Sequence, residues 1–318
     1  MTTTTSDAGV ARSAAGARYA AVDWGTSSFR IWLIGDTGEI LSERRSAEGM
    51  TTAAQTGFST VLEAHLDAMG ADATLPVVIC GMAGARQGWV EAGYLDTPAA
   101  LSEIVRHAVA VPDAARDIRI LPGLAQRDAA MPDVMRGEET QLLGSVGALP
   151  GTRLVCMPGT HSKWVRVADG KVERFSTFMS GELFDVVSRH SILSHAVADA
   201  QAFDGAHPAF GAAVAEAMAH PGMATNLLFT VRSGQLLHGH GPTDAKARLS
   251  GLMIGLEIAG ATTLTDDAKA PISLVASGPL AGLYAQALAA AGLTSARIDA
   301  DEAVRGGLAA AARALWPA

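Results

Sequence analysis

Residues 23–30, Asp23-Trp24-Gly25-Thr26-Ser27-Ser28-Phe29-Arg30, place an acid, a glycine, three hydroxyls and a cation within one short segment. Apolar runs flank it, so it predicts a tight turn between two antiparallel strands, Tyr19–Asp23 and Phe29–Ile34. Backbone N–H groups and hydroxyls at such a tip can surround a phosphate, and the acid can hold a hydrated magnesium ion. Alone, the segment reads as an ordinary polar hairpin turn. A second turn of the same kind changes that: Gly159-Thr160-His161-Ser162-Lys163 follows the apolar strand Arg153–Met157 and precedes another, Trp164–Val167. Each hairpin then runs through an Asp/Gly turn into a third strand, Glu39–Arg45 in one case and Lys171–Phe175 in the other. The two form a weak internal repeat of about 130 residues, the pattern expected of a polyphosphate held between two lobes.

Three further segments carry candidate chemistry. Arg136-Gly137-Glu138-Glu139-Thr140-Gln141 opens an apolar helix with two acids. Acids in a first helical turn need no function, because they complement the helix dipole. An ionised carboxylate there can also accept a hydroxyl proton. Successive helical side chains diverge by about 100°, so only one of the pair faces a cleft. Gly81-Met82-Ala83-Gly84-Ala85-Arg86 leaves the buried strand Leu75–Cys80, where loops commonly carry ligand contacts. Arg86 there is either a two-pronged carboxylate ligand or a surface cation. Glu48-Gly49-Met50, after the third strand, is a similar loop, with Glu48 able to bind a sugar hydroxyl. Ser277-Gly278-Pro279 supplies small residues where a base or ribose could approach backbone, and serves equally as a strand-to-helix turn.

These segments sit in a chain of 318 residues, 49% hydrophobic and 18% charged, with ample material for a packed core. The net charge of −8 argues against nonspecific nucleic-acid binding. Two distant cysteines, Cys80 and Cys156, read as buried thiols in a reducing cytoplasm. No run reaches the roughly 18 apolar residues of a membrane span. Residues 1–17 read as a disordered leader. Helices are expected at Gly57–Met69, Ala99–Val109, Gly181–Ser188, Pro208–Ala219, Met223–Ser233, Lys246–Thr262, Leu280–Ala291 and Ala303–Leu315, with strands at Ile118–Leu121, Ile272–Ser277 and Ala296–Asp299. Arg305-Gly306-Gly307 is poor helix chemistry, and close helix approach would explain it. The order is that of an α/β protein built of ribonuclease-H-like layers.

The two phosphate-type turns, the Ser277–Gly282 turn and the Arg305–Leu308 stretch resemble the motifs of the actin/hexokinase/sugar-kinase superfamily. Within it, Glu48-Gly49-Met50, Gly81–Arg86, Arg136–Gln141 and Pro158–Trp164 closely resemble the 2-dehydro-3-deoxygalactonokinase family. The resemblance implies two ribonuclease-H-like lobes, 18–145 and 146–318, whose mixed sheets are flanked by helices around an interlobe cleft. It also implies ATP and Mg2+, with phosphorylation of the terminal hydroxyl of 2-dehydro-3-deoxy-D-galactonate. Asp23 would organise the magnesium. Gly25, Thr26, Ser27, Ser28, Arg30, Gly159, Thr160, Ser162, Lys163, Ser277 and Gly278 would hold the nucleotide. Trp24, Glu48, Gly49, Met50 and Arg86 would hold the sugar acid, with Arg86 on its carboxylate. Many related kinases carry Gly-Asp where this chain has Gly137-Glu138, so Glu138 inherits the base by position, with Glu139 as the alternative. The implied partners are small molecules, in the cytoplasm, with a homo-oligomer left open. A kinase for another sugar acid or amino-sugar derivative, and a non-catalytic sugar sensor on the same frame, are the alternatives.

Overall fold

A computed structural model describes residues 16–265 and 272–317. The leader expected over 1–17 lies outside the described residues for 1–15, and Ala17 already begins the first strand. The first half of the chain contains β1 (Ala17–Trp24), β2 (Phe29–Gly35), β3 (Ile40–Ser46), α1 (Met50–Thr56), α2 (Phe58–Ala68), β4 (Val77–Gly81), β5 (Tyr94–Asp96), β6 (Ala99–Ala100), α3 (Glu103–Arg106), β7 (Val109–Ala110), β8 (Ile118–Ile120), β9 (Gly123–Gln126), β10 (Asp133–Met135) and α4 (Glu138–Ser145). The second half contains β11 (Thr152–Met157), β12 (Ser162–Ala168), β13 (Lys171–Phe178), α5 (Ser180–His190), α6 (Ser194–Val197), α7 (Pro208–Ala219), α8 (Ala224–His238), α9 (Pro242–Ala261), β14 (Ile272–Val275), α10 (Gly278–Ala290), β15 (Ser295–Ile298) and α11 (Ala300–Leu315).

The internal repeat is visible in the topology. One sheet has the order β3-β2-β1-β4-β8-β7 and the other β15-β14-β11-β12-β13-β6. In each, the two hairpin-linked pairs are antiparallel, and the first strand pairs in parallel with the strand that follows the meander, β4 or β14. This is the mixed ribonuclease-H-like arrangement, once per lobe.

The apolar runs are nearly continuous because both faces of each sheet are covered. Along β1, Tyr19 and Ala21 join a cluster with Leu142 of α4 and Val304 and Leu308 of α11, while Ala20, Val22 and Trp24 face Val61, Leu62 and Leu66 of α2. Along β11, Val155 and Met157 join the same central cluster, and Leu154 and Cys156 face Phe210, Ile258 and Tyr284. The central cluster therefore packs the inner faces of both sheets against α4 and α11. Those two helices cross at backbone contact. A Cβ on Gly307 would lie 1.9 Å from the Thr140 carbonyl oxygen, and one on Gly144 would lie 2.0 Å from that of Ala303. Close approach does account for Arg305-Gly306-Gly307. Cys80 and Cys156 are both buried free thiols.

Two expectations change. The helix expected over Ala99–Val109 is instead an edge strand, one turn of helix and another short strand. Ala99 and Ala100 pair with Val172 and Lys171 of β13, so a segment of the first half completes the second sheet. Tertiary pairing overrides the helix propensity of alanine there. The expected helix Gly57–Met69 is preceded by a further helix, α1, and Gly57 joins the two at φ +94. A small third sheet, β10-β9-β5, has strands of three or four residues, too short to show a period. No helix among the described residues is long and apolar enough to cross a membrane.

Candidate active site

The first turn has the predicted geometry. Asp23 and Arg30 are directly opposed across the β1–β2 pair, which puts both side chains on one face. The Gly25 N–H donates to the Ser28 carbonyl at 2.8 Å and closes the tip. Arg30 is in contact with Asp23 and also with Asp301, in the first turn of α11. Burial pushes the Asp23 carboxyl up, and the Arg30 guanidinium opposes that shift. The Glu48 loop buttresses this turn: the N–H groups of Met50 and Thr51 donate to the carbonyls of Gly25 and Thr26 at 2.9 and 3.1 Å. A Cβ on Gly49 would lie 2.5 Å from the Ser28 nitrogen, so only glycine fits. The Trp24 indole donates to the Glu48 carbonyl at 3.1 Å. The Glu48 carboxylate lies 2.8 Å from His65 Nε2, and Arg44 Nε lies 3.1 Å from His65 Nδ1. That bond to His65, with Ser46, holds the Glu48 carboxyl low.

β10 delivers the chain to α4. Asp133 anchors it by accepting the Thr177 N–H and hydroxyl at 2.6 and 2.7 Å. Gly137, at φ +104, then turns the backbone into the helix. The two acids diverge. Glu138 faces the cleft, where its Oε1 lies 3.4 Å from Lys163 Nζ and its Oε2 accepts the Arg136 N–H at 3.1 Å. Glu139 has no solvent exposure; its two oxygens accept the Gly137 N–H at 2.9 and 2.7 Å, and Thr140 Oγ1 lies 3.1 Å away. Desolvation, reinforced by the neighbouring Glu138 charge, pushes the Glu139 carboxyl up to about 8.

The second turn splits its predicted residues between two environments. Met157 pairs with Lys163, so Lys163 enters from β12 to meet Glu138. Thr160 is exposed, and its carbonyl accepts the Glu182 N–H at 3.0 Å. Ser162 points into the second lobe, away from the cleft. Its hydroxyl lies 2.9 Å from Tyr284 Oη, which donates to the buried carboxylate of Glu257 at 2.8 Å, while the Trp164 indole donates to the other oxygen at 2.7 Å. His161 lies at the cleft with Nε2 2.5 Å from a Glu182 oxygen. Ser277 donates to Asp299 Oδ2 at 2.8 Å and accepts the Ala300 N–H at 3.0 Å, so its side chain is committed to the start of α11. Gly278, at φ +63, opens α10.

A cavity of about 220 Å³ lies between the turns. Asp23, Trp24, Gly25, Ser28 and Arg30 line one side, and Gly159 and His161 line the other, with Glu138 at the start of α4 between them. The structure thus brings together the acid and cation of the first turn, the second glycine turn and one of the two candidate bases. Arg86 is not in its lining: that side chain is 82% exposed, with Nε 3.6 Å from a Glu91 oxygen. Glu48, Gly49 and Met50 stand behind the first turn, and Thr26, Ser27, Thr160, Ser162, Lys163, Ser277 and Gly278 likewise lie outside the lining. Sequence reasoning assigned no role to Arg136, Gln141 or His161, all of which line the cavity, nor to Asp301. Arg136 and Gln141 stood within a quoted motif, whereas Asp301 reaches Arg30 only through the fold. Gly159 also lines a second, largely apolar cavity of about 260 Å³, with Phe184, Lys246, Ile254, Leu283 and Tyr284.

The model of the 2-keto-3-deoxy-galactonokinase family matches residues 23–311. A protein of Rhizobium meliloti strain 1021 named as a probable 2-dehydro-3-deoxygalactonokinase is 64% identical over 300 residues, covering 94% of this chain and 98% of the relative. The Escherichia coli K12 2-dehydro-3-deoxygalactonokinase is 35% identical over 300 residues, covering 94% and 99%. A crystal structure of a Sinorhizobium meliloti protein assigned to the same enzyme type superposes with a TM-score of 0.92 at 64% identity, covering 94% of this chain and all of that one. With the matched residues running through both glycine turns, the Glu138 helix and α11, the chain belongs to the 2-keto-3-deoxy-galactonokinase family.

Proposed function

We propose that this kinase transfers the γ-phosphoryl group of ATP to the terminal hydroxyl of 2-dehydro-3-deoxy-D-galactonate, yielding the 6-phosphate and ADP. The observation that carries the reading is the shared cavity, in which the Glu138 carboxylate and Asp23 lie between the two glycine turns. The lobe of 18–145 holds the acceptor and that of 146–318 the nucleotide. The apolar cavity reached through Gly159 takes the base, with Lys246 at its wall.

Asp23 offers the hard oxygen donor that magnesium selects; burial pushes its carboxyl up, and Arg30 beside it opposes that shift. A magnesium ion held through Asp23 would supply charge neutralisation at the β- and γ-phosphates. The chain's own groups account for the rest. Glu138 accepts the proton of the attacking hydroxyl, with Lys163 Nζ 3.4 Å from that carboxylate. Backbone N–H groups of the two turns hold phosphate oxygens, and Arg30 faces the charge that builds on them. Glu139, buried and raised to about 8, is an unsuitable base and anchors the Gly137 turn.

The test is a coupled ADP-release assay with the full-length protein across sugars, amino sugars and 2-keto-3-deoxy acids, followed by NMR of the product. Turnover should be greatest with 2-dehydro-3-deoxy-D-galactonate and place phosphate on its terminal oxygen. Greater turnover of a neutral sugar, or phosphate at another position, refutes the reading.

A further inference from the structure

The cleft contains a cation with no anion. Arg30 is in contact with Asp23 and Asp301, Lys163 with Glu138, and His161 with Glu182. Arg136, which lines the same cavity, has no carboxylate against it among the described residues. Its Nη2 donates to the Gly93 carbonyl at 2.8 Å, and its guanidinium carbon lies 4.4 Å from the centre of the Tyr94 ring. Nε and Nη1 are buried, with no hydrogen-bond partner among the described residues. Arg136 as a whole is half-buried at the cavity wall, and two guanidinium nitrogens left without partners there call for an explanation, which a bound anion supplies.

The surroundings hold this side chain in place. A Cβ on Gly84 would lie 2.9 Å from Arg136 Nη1, so glycine leaves the room the guanidinium occupies. The Tyr94 ring stacks on one face, and β10 and the Gly137 turn fix the backbone on either side. Arg136 and Glu138 are two residues apart and share one cavity, so one short segment presents both a carboxylate receptor and a proton acceptor. A keto acid phosphorylated at its far end carries those two complementary groups, an anion at one terminus and a reacting hydroxyl at the other.

We infer that Arg136 binds the carboxylate of the acceptor and sets the preference for an acid over a neutral sugar. Guanidinium–carboxylate pairs supply both charge and direction, which an exposed lysine-like contact does not. Arg86, paired at the surface with Glu91, is not needed for this role. The inference rests on the acceptor being the sugar acid proposed above.

The experiment measures kcat and KM for ATP, for 2-dehydro-3-deoxy-D-galactonate and for its C1 primary amide, in the wild type, R136Q and R136K. In R136Q the acid should lose on the order of 10²-fold in kcat/KM, mostly through KM, with the ATP KM unchanged. Amide turnover should hold, so that the acid-to-amide preference collapses, and R136K should restore part of it. The acid should raise the melting temperature of the wild type but not of R136Q. Equal losses on acid and amide, with the preference intact, assign Arg136 a structural role and overturn the inference alone. Absence of wild-type turnover on the acid overturns the acceptor reading and this role with it.

Discussion

Replacing Glu139 by glutamine tests the division of labour between the two acids at the start of α4. The native carboxyl has no exposure and titrates at about 8 against an ordinary value of 4.5. Between those values the native state binds a proton that the unfolded chain has released, so stability falls as pH rises. The slope approaches about 1.4 kcal/mol per pH unit and flattens above pH 8. From about pH 6 to pH 8 the loss amounts to about 2 kcal/mol, or roughly 4 °C in melting temperature for a chain of this size. Glutamine keeps an oxygen for the Gly137 N–H but has no proton to lose, so in Glu139→Gln that part of the pH dependence should vanish. The assay is thermal unfolding of wild type and variant across this range. Glu138→Gln provides an independent control: removing the neighbouring charge should lower the Glu139 titration, so the decline ends at lower pH and is smaller. Parallel curves for wild type and Glu139→Gln would refute the placement of a proton on Glu139 at neutral pH.

Glu138→Gln should reduce kcat by about 10²–10⁴-fold with little change in the ATP KM, while Glu139→Gln retains most activity; steady-state kinetics of both decide this. Asp23→Asn should lose on the order of 10³-fold in kcat without unfolding, and excess magnesium should not restore it; near-normal turnover would remove Asp23 from the phosphate site. Gly307→Ala puts a methyl 1.9 Å from the Thr140 carbonyl. It should destabilise by about 2 kcal/mol despite a gain of roughly 1 kcal/mol in helix propensity, as read by chemical denaturation.

Much of the frame was legible because it is local. Asp23 and Arg30 face each other because a two-strand turn opposes them, and the Gly159 hairpin announces itself by the same order of strand, glycine turn and strand. The glycines of α11 pointed to a close helix crossing because nothing else explains glycine pairs in a helix interior. The segment Ala99–Val109 was misread because a two-residue edge strand has no period, and its partner β13 lies some seventy residues downstream.

The sequence alone determined the two repeated hairpins, the mixed α/β layering around them and most of the candidate groups for phosphoryl transfer. Tertiary structure decided which of them face the cleft. Glu138 and Glu139 are indistinguishable as a dipeptide; they separate only when Lys163 arrives from β12 beside one and the interior closes over the other. Ser162 looks like a phosphate ligand until Tyr284 and Glu257 draw it into the second lobe. Arg86 drew the carboxylate role on paper and Arg136 none, yet Arg86 is solvated beside Glu91, whereas Arg136 is half-buried at the cavity with two nitrogens unpartnered among the described residues. Composition and spacing set what chemistry a residue can do, whereas direction and desolvation depend on partners far along the chain.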